Sequence, residues 1–169
     1  MSKKYSADSL GNRMKNYEGV SKTYLVRRMP VIIRLDGKAF HTFTKGFDKP
    51  FDNLFMSTMQ ETCKALCKEV QGCKIAYTQS DEISLLITDY DALNTSAWFD
   101  DQIQKMVSVS ASIATLAFNK TFYELCMQLS VDDTEKFKKT YQSKMFTAKF
   151  DSRAFNLPKE DVCNYCRLP

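Results

Sequence analysis

Apolar and polar residues recur along this chain with two different periods, and the changes of period divide it into elements. Leu10, Met14, Tyr17, Tyr24 and Leu25 fall at near-helical spacing, which predicts an opening helix over 9–28 capped by Asp8 or Ser9. Met29-Pro30 ends that pattern, because the residue before a proline is pushed toward extended geometry. Val31-Ile32-Ile33-Arg34-Leu35 is rich in β-branched residues and reads as a strand that stops at the turn signal Asp36-Gly37. Residues 38–53 read as loop. From about Phe51 a helix is predicted, with Phe55, Met59, Cys63, Leu66 and Val70 on one face and Gly72 as its stop. Cys73 to Gln79 and Ile83 to Thr88 read as strands joined only by Ser80-Asp81-Glu82, a tight hairpin with two acidic residues at its tip. A polar connection leads to a long helix, about Ala97 to Leu125. Its predicted buried stripe is Ile103, Met106, Val107, Ser110, Ile113, Ala114, Ala117 and Phe118. Residues 131–144 are lysine-rich and weakly patterned and read as a mobile, partly helical connection with a solvated face. Phe146 to Phe155 is the fourth strand candidate.

The order helix, strand, helix, hairpin, helix, strand closes most simply as an α+β, ferredoxin-like antiparallel sheet with helices packed on one face. A length of 169 residues favours one domain spanning 1–169, large enough to bury a core.

Composition changes this picture little. Hydrophobic residues are 44% and charged residues 26%, which is globular usage. The net charge of +4 is compatible with a nucleotide or RNA partner without requiring one. No apolar run approaches the roughly 20 residues that span a bilayer, so no membrane partner is expected. Met1 to Leu10 is polar and lacks the apolar core of a signal peptide, so the expected compartment is the cytoplasm, with six free cysteines. Cys163-x-x-Cys166 is the one metal-like pair, and a four-ligand zinc site is disfavoured in a chain with one histidine.

The candidate chemistry lies in two acidic points. Asp36 follows the first strand at once, and Asp81 and Glu82 mark the hairpin tip. In a ferredoxin-like sheet these can meet at one edge, where like charges repel unless a cation lies between them. Hard oxygen ligands suit Mg²⁺, and two such ions about 3.5–4 Å apart can clamp the attacking and leaving oxygens of a phosphoryl transfer. Gly37 would let a ligand approach the backbone closely. Lys38, Lys45 and Lys49 crowd the following loop as a triphosphate site requires, and Phe40 and Phe43 offer stacking surfaces. The competing reading is an ordinary Asp-Gly turn and a solvated hairpin tip, with His41 merely packed or solvated.

Three segments, Arg34 to Phe43, Tyr77 to Ser84 and Phe150-Asp151-Ser152-Arg153, together resemble the tRNA-histidine guanylyltransferase family, most of all its bacterial guanylyltransferase-like members. Arg13-Met14-Lys15-x-Tyr17-Glu18 and Trp98-Phe99 fit the same pattern. The resemblance implies a polymerase-type palm domain with two Mg²⁺ ions held by Asp36, the Gly37 carbonyl and Asp81, and Glu82 supporting the site. It implies nucleotide contacts from Lys38, Ala39, Phe40, His41, Lys49, Ser80, Lys105 and Arg153. The reaction implied is 3′–5′ nucleotide addition to the 5′ end of a tRNA. ATP first activates the 5′ phosphate, and the 3′-hydroxyl of GTP or another NTP then attacks it. Family members guanylylate tRNA-His or repair truncated 5′ ends, and the family implies a homotetramer.

The family continues past the fourth strand into a helix and a C-terminal region, whereas this chain reads Val162 to Pro169 and stops. The expectation is therefore a catalytic palm core lacking that region. Two other readings stand beside the transferase. One is a nucleotide- and metal-binding core without tRNA activity. The other is a different palm enzyme, such as a nucleotide cyclase acting on free NTPs.

Overall fold

The computed structural model describes residues 8–166. The polar stretch 1–7, the Asp8 side chain and the last three residues, 167–169, lie outside the described residues, and so do the expectations placed on them.

Helix α1 (Asp8–Val20) precedes strand β1 (Val31–Gly37), the one-turn helix α2 (Phe40–Phe43) and helix α3 (Asn53–Glu69). The hairpin β2 (Cys73–Gln79) and β3 (Glu82–Ile87) leads to helix α4 (Ile103–Asp132), the short α5 (Thr134–Lys136), strand β4 (Phe150–Asn156) and the short α6 (Val162–Tyr165). The sheet is antiparallel in the order β2-β3-β1-β4, the arrangement expected of a ferredoxin-like palm.

Strand alternation sets the two faces. Ile33, Leu35, Ile83 and Leu85 are fully buried and meet α3 and α4, whose own buried residues include Met59, Leu66, Met106, Ala114 and Phe118. The intervening residues Ile32, Arg34 and Asp36 face the other way. Burial of the α4 stripe runs on through Phe122 and Cys126, while Ile103, Val107, Ile113 and Ala117 are only half-buried. Gly72 fits its stop role for two reasons. Its φ is +79°, and a Cβ there would stand 2.6 Å from the Thr88 carbonyl oxygen.

Four expectations change, the first being the long helix, which runs over Ile103–Asp132 instead of about 97–125. The opening helix ends at Val20 instead of near 28, and every described side chain on it is exposed, Leu10, Met14 and Tyr17 included. After it the chain is tied by backbone, with Leu25 N donating to Asp101 O at 3.0 Å. The fourth strand starts at Phe150, not Phe146.

The segment 131–144 is docked, not a loose connection. Phe137 and Tyr141 are buried, and the Tyr141 hydroxyl donates to Asp52 Oδ2 at 2.6 Å. Asp52 also caps α3 through Phe55 N at 2.9 Å and accepts from Asp48 N at 3.1 Å. Burial first, and the Asp52 carboxylate second, push the Tyr141 phenol well above its usual range, so it is a fixed donor. Lys136 bridges to Asp48 at 2.7 Å.

The described cysteines are all free thiols. Burial pushes Cys63 up to about 11 and Cys126 to about 12, which keeps both as inert core residues.

Candidate active site

The site is assembled where β1 ends beside the β2–β3 turn. Asp36 pairs with Glu82 on one side and Asp151 on the other. Cross-strand partners point to the same face, so three carboxylates stand in a row across the open face of the sheet. Asp81 joins them from the turn, because the Gly37 amide donates to the Asp81 carbonyl at 3.1 Å. Asp36 and Asp81 line one cavity of about 510 Å³, together with Arg34, Tyr77, Ser80 and Glu82.

Gly37 serves differently from the expectation. Its amide is taken by Asp81, and its missing Cβ makes room for the Phe40 ring, which would lie 2.4 Å away. Phe40 and Phe43 do not offer stacking surfaces to a base. Both rings are buried, 4.9 Å apart, against Phe118 and Phe122. In the 38–41 loop the exposed side chains are those of Lys38, Ala39 and His41.

Two non-glycine residues beside the acidic loops hold left-handed backbones, Ala39 at φ +59° and Ser80 at φ +53°. Such conformations cost about 1–2 kcal/mol each and persist only where the surroundings impose them. The Ser80 hydroxyl donates to Asp81 Oδ1 at 3.1 Å at the hairpin tip.

Burial, followed by Asp81, Asp151 and Glu82, raises the Asp36 pKa, and Arg34 only partly opposes them. Arg34 is committed to an ion pair with Glu82. The carboxylates therefore carry an excess of negative charge that a cation would relieve. Among the described residues, no three His, Cys, Asp or Glu side chains are grouped to cage an ion by themselves. Mg²⁺ does not need such a cage, since it takes one or two carboxylates and completes its shell with phosphate and water. The donors Asp36, Asp81 and the Gly37 carbonyl are all hard oxygens and fit that demand.

The other expected contacts divide. Arg153 stands on β4 opposite Arg34, two residues along the strand from Asp151. Lys49 is exposed in the loop before α3 and does not line the cavity. Lys105 is not brought to the carboxylates in this chain. It opens α4 at the end of the sheet where β1 begins: Ile103 N bonds Thr23 O at 3.0 Å, and Ser110, further along, meets Ser152 opposite Leu35. Three residues were missed by the sequence reading: Arg34, Tyr77 and Asp151. Strand alternation carried the signal for each, since all lie an even number of residues from Asp36, Gln79 or Arg153.

The family profile described as tRNAHis guanylyltransferase matches residues 11–158. The chain belongs to the tRNAHis guanylyltransferase family. A bacterial tRNAHis guanylyltransferase-like protein solved in complex with ATP superposes with a TM-score of 0.78 at 46% identity, covering 92% of this chain and 61% of its own. A GTP complex of a bacterial tRNAHis guanylyltransferase-like protein gives 0.77 at 46% identity, covering 92% of this chain and 67% of its own. The tRNA(His) guanylyltransferase of Schizosaccharomyces pombe is 32% identical over 107 residues, 62% of this chain and 38% of that protein. This chain spans less than half the length of the curated relatives it matches. Among the described residues, no helix of this family member is long and apolar enough to cross a membrane.

Proposed function

We propose that this chain is the palm core of a metal-dependent nucleotidyltransferase that adds nucleotides in the 3′–5′ direction to the 5′ end of a tRNA. The observation that carries this reading is the hydrogen bond from Gly37 N to Asp81 O, which sets Asp36 and Asp81 at one cavity. In the reaction, the RNA 5′ phosphate displaces pyrophosphate from ATP to give a 5′-adenylate. The 3′-hydroxyl of GTP, or of another NTP, then attacks that phosphate, AMP leaves, and the new end carries the triphosphate.

Asp36, Asp81 and the Gly37 carbonyl would hold two Mg²⁺ ions. These ions supply charge neutralisation at the attacking and leaving oxygens. Glu82 fixes Arg34 beside them. Ser80, Lys38 and the 38–41 backbone serve the phosphates of the incoming nucleotide, where positioning and electrostatics provide most of the catalysis. The exposed Lys49 and Arg153 are assigned to phosphate as well, Lys105 only in an assembly that brings it closer. A homotetramer is the assembly proposed for the full-length relatives.

A 5′-extension assay tests the reading. Its substrate is a 5′-monophosphorylated tRNA lacking its first nucleotide, with ATP, labelled GTP and Mg²⁺. Labelled tRNA from the parent chain, absent with Asp36→Ala and with Asp81→Ala, is the expected result. GTP binding without extension by the parent would instead make this chain a nucleotide-binding core. A cyclic product from GTP alone would make it a cyclase.

A further inference from the structure

The open face of the sheet carries side chains in three rows, and the strand register fixes their order. The first row holds the carboxylates of Glu82, Asp36 and Asp151. The second, two residues along each strand, holds Tyr77, Ser84, Arg34 and Arg153. The third holds Ile75, Leu86, Ile32 and Phe155 and is apolar. Successive rows are about 7 Å apart at the usual rise per residue. The long helices α3 and α4 cover the opposite face, and the short α6 touches only one end of this one. The ring of Tyr165 meets Phe155 at 5.9 Å, and its hydroxyl lies 3.2 Å from Ser84 Oγ, walling the cavity of about 510 Å³ on its far side.

The middle row is built to hold an anion and a flat ring. Arg34 and Arg153 are direct cross-strand neighbours, a like-charge pairing that is unfavourable unless something negative lies on it. Arg34 spends one donor on Glu82, and its Nε has no partner. Arg153 reaches Asp151 only at 3.9 Å. Tyr77 stands two strands from Arg34, about 10 Å across the sheet. Its hydroxyl donates to Gln79 Oε1 at 3.1 Å, which lays the half-exposed ring along the open face.

We infer that this middle row seats the 5′-terminal nucleotide of the RNA acceptor, its base on Tyr77 and its phosphate between the arginines and the carboxylate row. The inference rests on the transferase reading. The charge count selects the RNA end over a free NTP. Glu82 pairs with Arg34 and Asp151 stands 3.9 Å from Arg153, so the row has little positive charge to spare, which suits a monophosphate better than a triphosphate. A triphosphate is better served by Lys38, Lys45 and Lys49 in the loop after β1. Recognition of unpaired RNA ends by stacking on an aromatic ring and an arginine plane is the chemistry such a row supplies. The cavity volume falls in the range of small-ligand sites.

The test is binding, read separately from turnover. A short 5′-monophosphorylated RNA with a 3′ fluorophore is titrated with the parent chain, Tyr77→Ala and Tyr77→Phe in Mg²⁺, and a fluorescent GTP analogue is titrated in parallel. Tyr77→Ala should weaken the RNA about tenfold, the change that a stacking contact of about 1.4 kcal/mol provides. Tyr77→Phe should stay within about twofold, and GTP affinity should hold in both, which also reports that the variants are folded. RNA affinity unchanged in Tyr77→Ala, GTP affinity lost in its place, or no RNA binding by the parent would each overturn the assignment. A parent chain that binds the RNA through Tyr77 but extends nothing refutes the activity and leaves the seat standing. Equal extension by parent and Tyr77→Ala refutes the seat and leaves the activity.

Discussion

The amide of Gly37 donates a hydrogen bond to the carbonyl of Asp81 across 3.1 Å, joining the end of the first strand to the tip of a hairpin 44 residues later. This contact sets the two acidic loops at one cavity, and it constrains Gly37 from both sides. Its backbone is held by Asp81 while its α-carbon is pressed by the Phe40 ring.

Gly37→Ala is therefore expected to destabilise the fold by about 1–3 kcal/mol, the usual cost of overpacking. The added Cβ would fall within 2.6 Å of three Phe40 ring atoms. That ring cannot retreat, because Phe43, Phe118 and Phe150 surround it. In a Phe40→Leu background the same substitution should cost less. Urea unfolding of the four proteins measures the coupling.

Asp36→Asn should abolish extension yet raise the unfolding temperature in metal-free buffer. A raised pKa means that folding penalises the charged carboxylate. That penalty is absent below the unfolded pKa near 4 and grows as pH rises through the folded one. The variant should thus gain most over the parent at neutral pH, and the gap should close toward pH 4. Adding Mg²⁺ should stabilise the parent and leave the variant unmoved. Thermal melts across pH, with and without Mg²⁺, read all of this, and a less stable variant at pH 7 would contradict the charge argument.

Tyr141→Phe should cost about 1–2 kcal/mol, because it removes one donor from an almost fully buried carboxylate that keeps two backbone donors. The loss should appear in equilibrium unfolding. Protease sensitivity should rise at 131–144 first, since this bond ties that segment to the start of α3.

The double substitution Leu10→Ser and Met14→Ser should leave stability within about 0.5 kcal/mol of the parent, as exposed positions do. A drop in melting temperature that depends on protein concentration would show that α1 is covered by another copy.

What the sequence determined by itself was whatever depends on neighbours in the chain. Period-two and period-3.6 patterns are local, so the four strands, α3 and α4 were legible, and with them the order that closes into a ferredoxin-like palm. The motif residues Asp36, Asp81 and Glu82 were legible for the same reason, each lying at a strand end or turn. Helical spacing overstates the length of the opening helix because Tyr24 and Leu25 keep that spacing after the backbone has turned to pair with Gln102 and Asp101.

Tertiary structure alone decided matters that turn on distant partners. The anchoring of 131–144 depends on one phenol reaching Asp52 across 89 positions, a contact without local periodicity. Phe40 and Phe43 looked like surfaces for a base, but the space left by Gly37 draws the first into the core and the second stacks on it. Asp151 became a site residue only once register placed it opposite Asp36, and Tyr77 only once pairing of the strands put it in one cavity with Arg34 and Asp36, since a strand states which face a residue takes but not which residue will stand next to it.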